Sequence, residues 1–441
     1  MKSLTLSAWL PLAVLGLGLA SALAATSGHE GDAPPETPGA VADPNLLLPG
    51  ARDVPNPATP RACRDRRAAL AAALGDGLFL AHAGADGDGR FEADDDFYWL
   101  TGLHRSGAKL LLAAEGGELV RDELYLPVQS PRQRTWNGPK LSPEDFGDGS
   151  PYSAVLSVEE LDLDALGEAA GERGVHAVDD EAISELVASE IEVKRGRTAL
   201  NTLQAVKTTA ELAALETAVD ITQAAIADAI VIAVPGAWEF QAEAAVESGF
   251  RRRGAEFLAF STICGSGPNS CYLHYRENNR QLKSGDVLLM DVGAKYEGYS
   301  ADVTRTIPVD GTFTPRQREI YDLVWEAQQL AEAKLRPGTT MRELHEAVVA
   351  FFDEHEVRQH FKHGLGHQLG IRVHDVPGFR GVLTEGMVVT IEPGLYLLDE
   401  ELGVRIEDDF VVTSDGSRRL SDSVPSAPDA LEAYIARLRS R

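Results

Sequence analysis

Gly285-Asp286-Val287-Leu288-Leu289-Met290-Asp291-Val292-Gly293 and, beyond a Lys295 to Gly298 turn, Tyr299-Ser300-Ala301-Asp302-Val303-Thr304-Arg305-Thr306-Ile307 decide how this chain is read. Both segments are rich in apolar and β-branched residues and are bounded by turn residues, so they read as the two strands of a hairpin. Centred between Tyr296 and Glu297, the hairpin sets Asp291 directly opposite Asp302, about 5 Å away, where two like charges repel. A fold retains that pair only if a cation or a shared proton offsets it.

The same arithmetic recurs near the C-terminus. Met387-Val388-Val389-Thr390-Ile391-Glu392 and Gly403-Val404-Arg405-Ile406-Glu407 flank a turn around Asp399-Glu400, which sets Glu392 opposite Glu407. Two apolar hairpins, each carrying one acid against another, do not read as solvated surface. Between them His363, His367 and His374 fall within twelve residues, in His363-Gly364-Leu365-Gly366-His367 and Val373-His374-Asp375. His363 and His367 have the spacing of a helical zinc pair, but Gly364, Gly366 and Gly370 argue for a strand or loop that approaches a site closely. Four carboxylates and one imidazole form a hard donor set suited to divalent manganese, cobalt or zinc. Two such ions would balance the four carboxylates and leave room for a bridging hydroxide, so the expected chemistry is metal-assisted hydrolysis.

Around this region the chain has 441 residues, with 41 Lys+Arg against 68 Asp+Glu and a formal charge of −27. At roughly 150 residues per domain the length suggests two or three domains. A composition of 44% apolar and 25% charged residues is globular and excludes disorder throughout. So acidic a surface repels nucleic-acid phosphates and anionic lipid, so neither is an expected partner.

Residues 1–25 carry Lys2, the apolar run Leu10 to Leu19 and the small-x-small site Ala22-Leu23-Ala24, which reads as a secretory signal. The product is expected in the periplasm or outside the cell, free of the membrane once the signal is removed. Residues 26–62 hold eight prolines and read as a flexible tether. Cys63, Cys264 and Cys271 make an odd number for an exported protein, and Cys264 and Cys271 are open to a disulfide or to two buried thiols.

From 63 to 205 the apolar runs Gly77–Ala81, Phe97–Leu100, Lys109–Ala113 and Glu123–Leu126 alternate with helical patterns, suggesting a small α/β domain. It contains no Gly-rich phosphate loop and no tight His/Cys/Asp cluster, so a positioning or oligomerisation role is expected, with a homodimer or homotetramer left open. The second domain, 206–441, opens on a helix with a Thr208/Glu211 capping box that ends before Pro235-Gly236. Further helices start at Thr314-Pro315 and at Thr340 with Glu343 three residues on.

Met290–Gly293, Ala301–Thr306, the HGLGH and VHD segments, Ile391-Glu392-Pro393-Gly394 and Arg405-Ile406-Glu407-Asp408 closely resemble aminopeptidase P, the Xaa-Pro aminopeptidase branch of the pita-bread metallopeptidases. The first domain resembles that family's creatinase-like N-terminal domain through Asp96-Phe97-Tyr98-Trp99-Leu100-Thr101-Gly102 and the Leu-rich run after it. The resemblance implies an α+β chain, with a C-terminal pita-bread catalytic domain behind a smaller α/β domain. It implies two divalent ions, typically manganese, on Asp291, Asp302, His367, Glu392 and Glu407, with Asp302 and Glu407 bridging both. Glu392 would also orient or deprotonate the attacking water, His374 would hydrogen-bond the scissile carbonyl, His363 would line the substrate pocket, and His274 would assist substrate binding or proton transfer. Arg405 shares a strand face with Glu407 and is expected to hold a ligand carboxylate in place.

The implied activity is hydrolysis of the bond between an N-terminal residue and a following proline, by attack of a metal-bridging hydroxide. A prolidase acting on Xaa-Pro dipeptides is the alternative. A non-catalytic peptide-binding protein on the same fold is disfavoured because no ligand is missing. Arg372 stands where many relatives carry an acid, which puts the charge of the substrate-side loop, and the preferred peptide with it, in question.

Overall fold

The computed structural model describes residues 55–87 and 89–440. The signal sequence and most of the proline-rich stretch lie outside the described residues. A helix starts at Pro60, capped by the Thr59 hydroxyl, so the stretch read as a tether is helical over its last three residues. Proline suits that first turn because its fixed φ is helical and the N–H it lacks would have had no partner there.

The first half is built on one mixed sheet of β1 (Gly77–His82), β2 (Lys109–Glu115), β3 (Glu118–Leu126), β4 (Ala154–Ser157), β5 (Val175–Ala177) and β6 (Val193–Arg195), in the order β4-β3-β2-β1-β5-β6. The apolar run Phe97–Leu100, grouped with the strands by its composition, is instead part of a helix, Asp95–Thr101. The Asp94 carboxylate accepts from the N–H groups of Asp96 and Phe97, and every residue from Asp96 to Thr101 is buried. Burial on all sides makes a short helix as uniformly apolar as a strand.

In the second half the helix starts are where the sequence places them: Thr208 starts the helix Thr209–Ile232, Thr314 starts Pro315–Lys334, and Thr340 starts Met341–Glu354. These helices pack around short antiparallel strands. β7 (Phe257–Leu258) and β8 (Ile263–Ser266) flank the first hairpin, which is split into β9 (Val287–Val292) with β12 (Val303–Pro308) and β10 (Ala294–Tyr296) with β11 (Tyr299–Ser300). Its turn is Glu297-Gly298, with φ of 48° and 79°. Positive φ at both central residues gives the turn whose twist matches a hairpin. The hairpin is therefore centred one residue later than expected. Asp291 faces Thr304, and Asp302 is diagonal to it rather than directly opposite. Because the partner moves by two residues, both acids keep the same face.

The second hairpin has the expected register. β13 (Val388–Ile391) pairs with β16 (Asp408–Val412) and β14 (Gly394–Leu397) with β15 (Leu402–Arg405). Ile391 faces Asp408 and Gly394 faces Arg405, so Glu392 and Glu407 lie opposite one another in the gap between the two ladders. The hairpins are stitched together by the Glu407 N–H, which donates to the Thr304 carbonyl at 3.1 Å.

The two halves share one compact unit. The Glu211 carboxylate accepts from Arg66 at 2.8 Å, the Trp99 indole at 2.9 Å and the Tyr299 hydroxyl at 2.6 Å. Lys295 pairs with Glu92 and Asp95, each at 2.6 Å. The sequence left Cys264 and Cys271 open; both are free buried thiols, as is Cys63. No helix among the described residues is long and apolar enough to cross a membrane.

Candidate metal centre

Breaks in the ladders create the site. Asp302 follows the end of β11, and Glu392 and Glu407 sit in the gap of the second hairpin, so each has a side chain free of regular cross-strand packing. Ligand atoms of Asp302, His367 and Glu407 all lie within 4.8 Å of one another. His367 Nε2 is 3.5 Å from Asp302 and 3.8 Å from Glu392. Asp291 stands within hydrogen-bond reach of Asp302. All five sequence-derived ligand positions thus converge, although the direct Asp291–Asp302 pairing on which the sequence argument began does not exist.

The electrostatics are those of an acid cluster with too little positive charge. Burial, and then the neighbouring Asp291, hold the Asp302 carboxyl well above the ordinary range; burial and then Asp302 do the same to Glu407. Burial raises Glu392 to about 7, with His367 and Arg405 pulling it back. Asp291 Oδ1 and Asp302 Oδ1 are buried without a hydrogen-bond partner among the described residues. A buried carboxylate oxygen with no donor is strongly unfavourable, and a hard cation is the partner that such oxygens accept. The residues present therefore fit divalent metal ions.

His367 is on a loop, as its glycines require. Gly366 presses against β13 so closely that a Cβ there would lie 2.1 Å from the Thr390 carbonyl oxygen. His374 stacks on His367 with ring centroids 4.0 Å apart. His363 Nδ1 is 3.7 Å from Glu392, and its Nε2 is 2.8 Å from the Tyr396 hydroxyl. Burial lowers the pKa of His363 to about 4. His274 is exposed, in a groove lined by Asn269, Tyr272, Tyr275 and Glu277, close enough that its charge opposes protonation of His363 and His374.

Arg405 does what its strand position predicts, and the carboxylate it holds is Asp291. Its Nη2 pairs with Asp291 Oδ2, Nη1 donates to the Tyr396 hydroxyl at 2.9 Å, and Nε donates to Thr304 Oγ1 at 3.2 Å. Arg405→Met, which keeps the aliphatic stem, is expected to weaken divalent-metal affinity by about 10- to 100-fold, the usual cost of losing an outer partner of a ligand. Titration calorimetry reads this directly, and unchanged affinity would mean that Asp291 is oriented by something else.

Sequence reasoning missed three supporting residues. Thr304 donates from its hydroxyl to Glu407 at 2.7 Å, Tyr396 bridges His363 and Arg405, and Asp409 accepts from the Asp302 N–H at 3.2 Å. Tyr396 lies four residues after Glu392, on the same strand face by alternation, and was findable. Thr304 needed the correct hairpin register. Arg372, the departure noted in the sequence, has its guanidinium turned to Asp95 and Asp96 of the first half.

Residues 213–414 match the metallopeptidase family M24, and residues 63–175 match the N-terminal domain of aminopeptidase P. The Xaa-Pro aminopeptidase of Escherichia coli (strain K12) is 31% identical over 405 residues, 81% of this chain and 92% of that protein. The Xaa-Pro dipeptidase of Pyrococcus horikoshii is 37% identical over 234 residues, but this covers 52% of this chain and 66% of that protein. The solved structure of proline aminopeptidase P II from Yersinia pestis superimposes with a TM-score of 0.79 at 30% identity, covering 86% of this chain and 99% of that one.

Proposed function

The chain belongs to the metallopeptidase family M24, in its aminopeptidase P branch, and from that premise we propose that it removes the N-terminal residue from peptides whose second residue is proline. The observation that carries this reading is the convergence of Asp291, Asp302, His367, Glu392 and Glu407, with two buried carboxylate oxygens left for a cation. When bound there, a pair of divalent ions, proposed to be manganese, supplies Lewis acidity and lowers the pKa of a water to about 7.

The remaining work falls to side chains of this chain. Arg405 fixes Asp291, and the Thr304 hydroxyl fixes Glu407. Glu392, between His363 and His367, is proposed to take the proton of the attacking water at a carboxylate oxygen. His374 is proposed to donate a hydrogen bond to the scissile carbonyl oxygen as negative charge develops on it. His363, bonded to Tyr396, stands beside Glu392 and is proposed to line the substrate pocket, and the exposed His274 is proposed to assist binding of the incoming peptide.

A prolidase is the second reading, because a Xaa-Pro dipeptidase is among the relatives. The coverage favours the aminopeptidase: the dipeptidase match spans about half of this chain, whereas the aminopeptidase match extends into the N-terminal half. Purified protein reloaded with manganese is expected to release the first residue from Xaa-Pro-Xaa peptides and to lose that activity with a chelator. Turnover of Ala-Pro alone, with longer peptides untouched, would transfer the chain to the dipeptidases.

A further inference from the structure

Arg372 links the first half to the loop that carries His374. It pairs with buried Asp96, lies 3.8 Å from Asp95 and 3.6 Å from Asp375, and donates to Gln204 Oε1 at 3.2 Å. Gln204 in turn donates to Asp96 at 2.9 Å, and Lys207 joins Asp375 at 2.8 Å to the Gln204 carbonyl at 2.9 Å. The ring is closed: Asp96, Arg372, Asp375, Lys207 and Gln204 each touch the next, and His374 is the neighbour of Asp375.

The two ends of this loop are held differently. Residues 368–371 are bound by backbone: the Leu369 N–H donates to Val388, and the Gly370 carbonyl accepts from the Ser300 N–H at 2.8 Å. Beyond Ile371 two backbone bonds hold the turn, from the Gly370 N–H to the Arg372 carbonyl at 3.0 Å and from the Asp375 N–H to the Gln368 carbonyl at 2.9 Å, and the side chains of Arg372 and Asp375 are held by the ion-pair ring. His374 is an exposed side chain whose ring rests on His367, so its position follows the backbone beneath it. Val376, buried at 5%, has φ of 40°. A β-branched residue stays in that left-handed region only when its surroundings over-determine it.

We infer that Arg372 is a positioning residue, through which Asp96 of the N-terminal half holds the 372–376 turn and so aims His374 at the scissile carbonyl. This rests on the peptidase reading of the site and assigns the N-terminal half a part in the reaction.

The test compares Arg372→Ala, Arg372→Lys, His374→Ala and the Arg372→Ala/His374→Ala double variant in the manganese-loaded enzyme on a Xaa-Pro-Xaa peptide. Arg372→Ala is expected to lose about tenfold or more in kcat, since small misplacement of a catalytic group is costly, with KM and manganese affinity changed by less than about twofold. Arg372→Lys restores most of the loss. The double variant is no more than about twofold slower than His374→Ala, because the two residues act as one unit. Hydrogen–deuterium exchange on the same proteins gives a readout independent of catalysis: peptides covering 370–376 exchange faster in Arg372→Ala, while those covering 287–292 do not. Full kcat in Arg372→Ala, additive losses, or unchanged exchange over 370–376 would each overturn the inference. If the parent cleaves no Xaa-Pro peptide while exchange accelerates in Arg372→Ala, the peptidase reading fails and the bracing of the turn stands.

Discussion

Asp302→Asn is expected to lower kcat/KM by at least about a thousandfold, and the metal-free variant is expected to melt at a higher temperature than the metal-free parent at pH 8. The first effect follows from the place of Asp302 in the cluster with His367 and Glu407. Metal polarisation contributes several kcal/mol to transition-state stabilisation, and about 4 kcal/mol corresponds to about a thousandfold. The second effect has the opposite sign because, without a cation, Asp302 beside Asp291 must at pH 8 either carry a buried charge or hold a proton that the unfolded chain gives up, and both cost stability. Asparagine removes the repulsion and can donate to Asp291. Calorimetry of both proteins with and without manganese separates the effects: the parent is stabilised by added metal, and the variant is not. A variant less stable than the metal-free parent would mean that Asp302 serves mainly a structural hydrogen bond.

The same cluster fixes an unusual pH dependence. An acid whose pKa is raised by folding binds more protons in the native state, so stability is fully present below its unfolded pKa and is lost as pH rises towards the folded value. Glu392 is raised from 4.5 to about 7, a difference of roughly 3 kcal/mol at the tenfold-per-unit conversion. The chelated protein is therefore expected to lose stability from about pH 4.5 to about pH 7, and further above that as Asp302 and Glu407, raised well beyond their ordinary range, ionise. Divalent metal reverses the trend, because the cation binds deprotonated carboxylates and stabilises only the folded state. Denaturant melts at pH 5, 6, 7 and 8, with chelator and with saturating manganese, should give curves of opposite slope. Parallel curves would mean that another group sets the pH dependence.

The helices of the catalytic half were legible because their signals are local: Thr208/Glu211 and Thr340/Glu343 close capping boxes within four residues, and Pro315 marks the first turn after Thr314. The second acid pair was legible for a similar reason, since a symmetric turn fixed its register. The first pair was displaced because the turn formed at Glu297-Gly298, where positive φ is tolerated, and composition alone did not select that centre. The Phe97–Leu100 run was ambiguous in principle, because complete burial erases the periodicity that distinguishes a helix from a strand.

The sequence by itself determined the candidate donor set, since the identities of Asp291, Asp302, His367, Glu392 and Glu407, in and beside short strands, supply hard, acid-rich donors. Even the register error did not disturb it, because an even slip leaves a side chain on its face. Only the tertiary structure decided what surrounds those donors: that Arg405 spends its charge on Asp291, that Thr304 supports Glu407, and that Arg372 reaches back to Asp96. Those partners are separated by 114, 103 and 276 residues, the last by subtraction from the two residue numbers. A long charged side chain has many partners of opposite sign within reach in principle, and the one it takes is set by which backbones the packed core brings together.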